Sequence, residues 1–151
     1  MAPHEFDLVI IGAGSGGLTA ASFGAQLGAH VALVEKNRIG GDCTWNGCVP
    51  SKALLKAAKI AHEVRTASRF GISATPPVVE MVKVREYLCQ AIQQVYQFES
   101  PGELGKQGIE VIEGGARFVD ARTIMVGEQI VRAKAFLLTT GAHPRIPPIA
   151  G

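Results

Sequence analysis

The sequence predicts a three-layer α/β fold, a parallel sheet joined by a β-meander. Three observations predict it. A continuous apolar run, residues 7–11, leads straight into Gly12-Ala13-Gly14-Ser15-Gly16-Gly17. Two long segments, 51–65 and 79–99, repeat apolar residues at helical spacing. From residue 109 onward, short β-rich runs follow one another at close intervals.

Composition narrows the function classes. The chain has 151 residues, enough for one domain with a sizeable core. A formal charge of +2 is too small to argue for nucleic acid or an anionic membrane as partner. The eighteen glycines gather in loops between apolar runs, as phosphate-binding α/β folds require. Three cysteines are too few for a secreted disulfide scaffold and suit a catalytic or metal-binding pair. The first residues show neither a basic flank nor a long apolar core, and no segment approaches the ~20 apolar residues of a membrane span. A soluble, cytoplasmic protein is expected.

Residues 7–11 have the unbroken apolar character of a buried parallel strand. The glycine run after it satisfies G-x-G-x-x-G at Gly12, Gly14 and Gly17. Residues 18–28 are rich in small side chains and predict a helix lying close to the sheet. Residues 30–34 form a second apolar strand, closed by Glu35. Strand, glycine turn, helix, strand and acid come in the order of a dinucleotide-binding unit. Gly12 serves the tight turn, Gly14 lets the backbone approach a pyrophosphate, and Gly17 permits helix–strand contact. Glu35 accepts hydrogen bonds from a ribose diol and repels a 2′-phosphate.

The next stretch, Gly40 to Lys52, holds Cys43 and Cys48, with Pro50 placed for the first turn of a helix over 51–65. That helix start and the cation of Lys52 predict a Cys48 thiol that ionises readily. The helix presents Ala53, Ala57, Ile60, Val64 and Ala67 on one face, lysines on the other, and stops at Gly71. Thr75-Pro76-Pro77 reads as a loop. The second helix, 79–99, carries Met81, Val84, Leu88, Ala91, Val95 and Phe98 at three–four spacing, which calls for a packing partner in this domain or a second subunit. Cys89 lies beside that stripe and reads as a small buried side chain. Ser100-Pro101-Gly102 breaks the helix. Strands are expected at 109–113, 116–119, 123–126, 129–132 and 135–139, with a turn at Gly127-Glu128 and a proline-rich tail over 143–151.

The stretch Gly40-Gly41-Asp42-Cys43-Thr44-Trp45-Asn46-Gly47-Cys48-Val49-Pro50-Ser51-Lys52 closely resembles the redox-active disulfide motif of the class I flavoprotein disulfide reductases. Dihydrolipoyl dehydrogenases, glutathione reductases and mercuric reductases belong to that family. Every fixed position of Gly-Gly-x-Cys-x-x-x-x-Cys-x-Pro-Ser/Thr-Lys is met. Asp42 stands where Thr is usual, and Thr44-Trp45-Asn46 replaces the usual Val-Asn-Val, so the chain looks more like the mercuric-reductase-like branch than a dedicated dihydrolipoyl dehydrogenase. Thr139-Thr140-Gly141-Ala142-His143-Pro144 fits a second family pattern, near the bound nucleotide.

The resemblance implies a Rossmann-like FAD-binding domain. It implies FAD contacts from Gly12, Gly14, Ser15, Gly16, Gly17, Glu35, Lys36, Gly41 and Asp42, from Lys52 beside the flavin ring, and from Ala116, Thr140 and Gly141. Cys43 and Cys48 become the catalytic pair, with Cys48 as the charge-transfer thiolate near the flavin and Cys43 as the interchange thiol. Electrons are then expected to pass from NAD(P)H through FAD to this pair and on to a small disulfide or a soft metal ion. The resemblance runs over the whole chain, yet a second G-x-G-x-x-G and a later Gly-Asp segment are missing. Residues 1–151 are therefore expected to be the N-terminal part of an FAD-binding domain. Its nicotinamide and dimerisation domains would lie outside this chain, and the full-length enzyme would be a homodimer. Two other classes compete: a nucleotide-binding domain without redox work, and a Cys/His metal module. The second lacks a ligand pair at zinc spacing among His4, His30, His62 and His143.

Overall fold

A computed structural model describes residues 4–143 and 145–149. Pro144 of the second family pattern and residues 150–151 of the tail lie outside the described residues. The elements are β1 (His4–Ile11), α1 (Ser15–Gln26), β2 (Val31–Glu35), α2 (Gly41–Trp45), α3 (Cys48–Thr66), a 3-10 turn (Ala67–Phe70), α4 (Met81–Glu99), α5 (Pro101–Lys106), β3 (Ile109–Glu113), β4 (Ala116–Asp120), β5 (Thr123–Val126) and β6 (Gln129–Leu138). One six-stranded sheet runs in the order β3-β2-β1-β6-β5-β4. The α/β class is as expected.

Strands β3, β2, β1 and β6 are mutually parallel, and β6, β5 and β4 form the antiparallel meander. Alternate side chains of β2 face opposite ways. Val31 and Leu33 join Ile10, Ala21, Leu104 and Ile109 in a core shared with α1 and α5. Ala32 and Val34 join Val9, Ile112, Ile124, Val126 and Val131, so side chains of the meander cover the other face. This accounts for the three layers.

Four differences from the sequence reading have physical causes. Residues 129–132 and 135–139 were expected as two strands, but one strand, β6, runs from Gln129 to Leu138. Residues 129–132 pair with β5 and residues 131–138 with β1, and because the two ladders overlap no turn is needed where the partner changes. Past Arg132 the edge away from β1 carries no ladder among the described residues, and Leu138 is 62% exposed. Second, the break at Ser100 is followed at once by α5. Ser100 Oγ accepts from the Glu103 amide, and Pro101 sits where a helix needs no N–H. Third, α3 begins at Cys48 rather than Ser51, and the separate turn α2 precedes it.

The fourth difference is Cys89, which is exposed rather than buried. The packing partner of α4 lies in this domain, since α3 and α4 form a hairpin. That hairpin is shallowly covered: α4 has no buried residue and α3 only Ala53. Even the apolar stripe of α4 is half-buried at best, and Cys89 lies off it. Gly71 ends the 3-10 turn at φ +74°, as the sequence suggests. No described helix is long and apolar enough to cross a membrane.

Candidate functional site

The glycine turn connects β1 to α1 at the C-terminal end of the parallel strands. Gly12 has φ +107°, and Thr139 Oγ1 donates to its carbonyl at 2.7 Å, pinning the turn to the end of β6. Gly17 is buried against the same turn: a Cβ there would fall 1.8 Å from the Gly12 oxygen. At Gly14, by contrast, a Cβ would meet nothing within 4 Å. Gly14 is the N-cap of α1 and no side chain caps that helix end. The first-turn amides therefore face open space, which a phosphate group fits.

Glu35 ends β2 beside this turn. Its Oε2 accepts from the Ala13 amide at 2.7 Å and its Oε1 from the Asn37 amide at 2.8 Å. Both oxygens are thereby aimed, and each keeps a lone pair for a ribose hydroxyl.

The cysteine turn is fastened to the glycine turn. The Gly40 amide donates to the Ala13 carbonyl at 2.8 Å, and Gly41, at φ +57°, lies so close to Gly14 that a Cβ would stand 2.9 Å from the Gly14 Cα. This contact brings α2, with Cys43, against the nucleotide loop. Gly47 then turns the chain into α3, where Cys48 is the first residue. The two cysteines are free thiols, Cys43 on α2 and Cys48 at the start of α3, which packs against it.

Their ionisation differs from the sequence expectation. The hydrogen bond from Cys48, helped by the Ser15 hydroxyl, holds the Cys43 thiol below the usual cysteine value. The same bond holds Cys48 above it, with Lys52 pulling weakly the other way. Cys43 is thus drawn towards the thiolate and Cys48 away from it, despite the helix start at Cys48. A thiol giving its proton to a neighbouring sulfur loses that partner on ionising, and this outweighs the first-turn position.

A cleft of 980 Å³ lies over these elements. Gly12, Gly14, Ser15 and Gly16 line one side, and Glu35 and Lys36 close one end. Gly41, Asp42 and Cys43 form the side nearest α2, while Ala116, Thr140 and Gly141 complete the wall from β4 and the segment after β6. Gly17, Cys48 and Lys52 are not in the lining: Gly17 supports the turn from beneath, and the other two lie on the first turn of α3. The lining also includes Asn37 and Arg38, which sequence reasoning did not single out. Arg38 had a readable signal, since it follows the strand-ending acid by three residues. Among the described residues no cluster of three His, Cys, Asp or Glu side chains is placed to hold a metal ion.

Fold and site together define a dinucleotide-binding α/β domain with a thiol pair beside the nucleotide cleft. The family model of the pyridine nucleotide-disulphide oxidoreductases matches residues 6–151, and the chain belongs to that family. A mercuric reductase of Shigella flexneri is 38% identical over 95% of this chain and 27% of its own length. A dihydrolipoyl dehydrogenase of Acholeplasma laidlawii is 33% identical over 97% of this chain and 44% of its own. For a glutathione reductase of Burkholderia cepacia the figures are 33%, 100% and 33%. The chain thus spans between 27% and 44% of the length of these relatives. The family is FAD- and NAD(P)H-dependent. The uncapped end of α1, the open space at Gly14 and the aimed carboxylate of Glu35 fit the adenosine diphosphate half of FAD.

Proposed function

We propose that residues 1–151 are the N-terminal part of an FAD-binding domain in an NAD(P)H-dependent oxidoreductase whose Cys43–Cys48 pair reduces a small disulfide or a soft metal ion. The observation that carries this reading is the pair of free thiols on α2 and the start of α3, with the Cys43 turn fastened to the glycine turn of the cleft. FAD, when bound, supplies the electrons that keep the pair reduced. The first-turn amides of α1 would hold the pyrophosphate, Glu35 the ribose, and Ala116, Thr140 and Gly141 the nucleotide from the opposite wall. Lys52 sets the charge near the flavin end.

With a disulfide substrate, the Cys43 thiolate attacks one sulfur, the substrate S–S bond breaks, and a mixed disulfide forms as the first substrate thiolate leaves. Cys48 gives its proton to that thiolate and then attacks the Cys43 sulfur. The Cys43–Cys48 disulfide closes and the second substrate thiolate departs. The pair has lost two electrons and the substrate has gained two. Only a thiolate attacks, so a lowered Cys43 suits the interchange role. The nicotinamide and dimerisation domains lie outside this chain, and the full-length enzyme works as a cytoplasmic homodimer.

The test is a flavin absorbance spectrum of the full-length protein with thiol titration before and after NADH. A flavin band and two additional thiols after NADH, both lost in a Cys43→Ser variant, are expected. A flavin band with no change in thiol count would leave a nucleotide-binding domain without redox work.

A further inference from the structure

The turn α2 carries Cys43, yet it has little to hold it as a helix. It is five residues long, its N-cap is Gly40 in the left-handed region, and no side chain caps it. A single turn pays the cost of helix nucleation without propagation to offset it. Its position must therefore come from outside, and the side chains between the cysteines show where.

Thr44 is 2% exposed, and its hydroxyl donates to Glu99 Oε2 at 2.8 Å. Glu99 is the last residue of α4. The Glu99 carboxylate occupies space that any side chain at position 40 would need, since a Cβ on Gly40 would lie 2.6 Å from Oε2. Trp45 makes the second attachment. Its indole N–H donates to the Ile39 carbonyl at 2.7 Å, its ring lies 5.1 Å from that of Tyr96, and the Arg38 guanidinium sits 5.0 Å above it. Tyr96 and Glu99, one turn apart on α4, grip adjacent residues of α2. Thr44 and Trp45 are also two of the positions where this sequence departs from the usual family pattern.

We propose that Thr44 and Glu99 are positioning residues for the thiol pair: their hydrogen bond ties the Cys43 turn to the end of α4 and sets where Cys43 stands against the first turn of α3, which carries Cys48, and against Ser15 across the cleft. This rests on the reading of the pair as redox-active, but its test does not depend on that activity. Without the Thr44–Glu99 bond, α2 is held only by Trp45 and its glycine flank, and the surroundings that favour the Cys43 thiolate loosen. Cys43 is lowered by the Cys48 thiol, the Ser15 hydroxyl, the Cys48 backbone amide and, most weakly, the Lys52 ammonium, with burial acting the other way.

The test uses the whole chain, reduced, with the exposed Cys89 replaced by Ser so that only the pair reports. The rate of iodoacetamide alkylation at Cys43 is followed against pH by peptide mass spectrometry, with circular dichroism to confirm folding. Thr44→Val removes the donor, and Glu99→Ala removes the acceptor. Each is expected to move the Cys43 profile to higher pH and slow alkylation at pH 7 by roughly 5- to 10-fold. The double variant should be no slower than either single one, because both break the same bond. Thr44→Ser keeps the hydroxyl and should stay within about 2-fold of the parent. A merely structural role would lower thermal stability and leave the pH profile in place. The proposal is overturned if folded Thr44→Val or Glu99→Ala titrates like the parent, or if Thr44→Ser is as slow as Thr44→Val. If Thr44→Val fails to fold, Glu99→Ala and Thr44→Ser still decide. Failure of the redox reading would look different, as a Cys43–Cys48 pair that ionises as described but forms no disulfide under mild oxidation.

Discussion

Gly14 and Gly17 belong to one motif but answer to different constraints. At Gly17 the backbone of the turn itself blocks a side chain, so Gly17→Ala must push α1 away from β1. A loss of about 1–3 kcal/mol is expected, the usual cost of overpacking, seen as a lower urea midpoint. Gly14 borders open space, and serine is a favoured N-cap. Gly14→Ser should keep stability within about 0.5 kcal/mol while its hydroxyl competes for the amides a phosphate would use, weakening FAD binding. Equal stability losses at both sites would refute the division. Such roles were legible because glycine positions, the strand-ending acid and the paired cysteines are local signals. The order in which the thiols ionise was not. It depends on which sulfur donates to the other, and on a Ser15 hydroxyl 28 residues from Cys43 in the chain.

The strands β1 and β6 are joined midway along their ladder by an ion pair. Lys134 Nζ lies 2.6 Å from Asp7 Oδ1, and the His30 amide donates to Oδ2 at 2.8 Å. Lys134 first, then His30, holds the Asp7 carboxyl below its ordinary 3.8, while Asp7 raises Lys134 above 10.5. A depressed carboxylate contributes stability above its unfolded pKa and loses it as pH falls through the folded one. The raised lysine contributes below its unfolded pKa and loses it as pH rises through the folded one. The link therefore acts across the neutral range and fades below pH 3.8 and above pH 10.5. Because the pair is exposed the effect is small and salt-sensitive. Melting temperatures of wild type and Asp7→Asn should differ at pH 7 and converge towards pH 3, at low salt. Parallel curves over that range would exclude the linkage. At this scale the sequence was legible wherever an element was long or sharply bounded: β3 and β5 match their expected ranges. Ser100 does end α4, but its second role as cap of α5 was missed because Pro-Gly follows it, and α2 was missed because tertiary contacts, not its own sequence, hold it.

The molecule as a whole leaves much apolar surface uncovered. Phe98 of α4 is 76% exposed, Val82 72% and Leu55 of α3 67%, and Leu138 borders the open edge of β6. Patches of this kind, and strand edges, promote association. The 151-residue chain is expected to scatter light as an oligomer and to bind FAD below one per chain, as a colourless or faintly coloured preparation. A yellow monomer with one FAD per chain would contradict this. The sequence announced the helices but not how shallowly they are covered, since a three–four stripe fixes which face turns inward and says nothing of what it meets.

The place of β1 in the sheet has a consequence for synthesis. It lies between β2, which follows within some twenty residues, and β6, whose Lys134 is 127 residues beyond Asp7. At about 5–20 residues per second, translation would leave one side of this innermost strand without its partner for roughly 6–25 s. Throughout that interval the nascent chain carries a buried-type strand with a free ladder, and the ribosome's neighbourhood must keep that ladder single until β6 emerges.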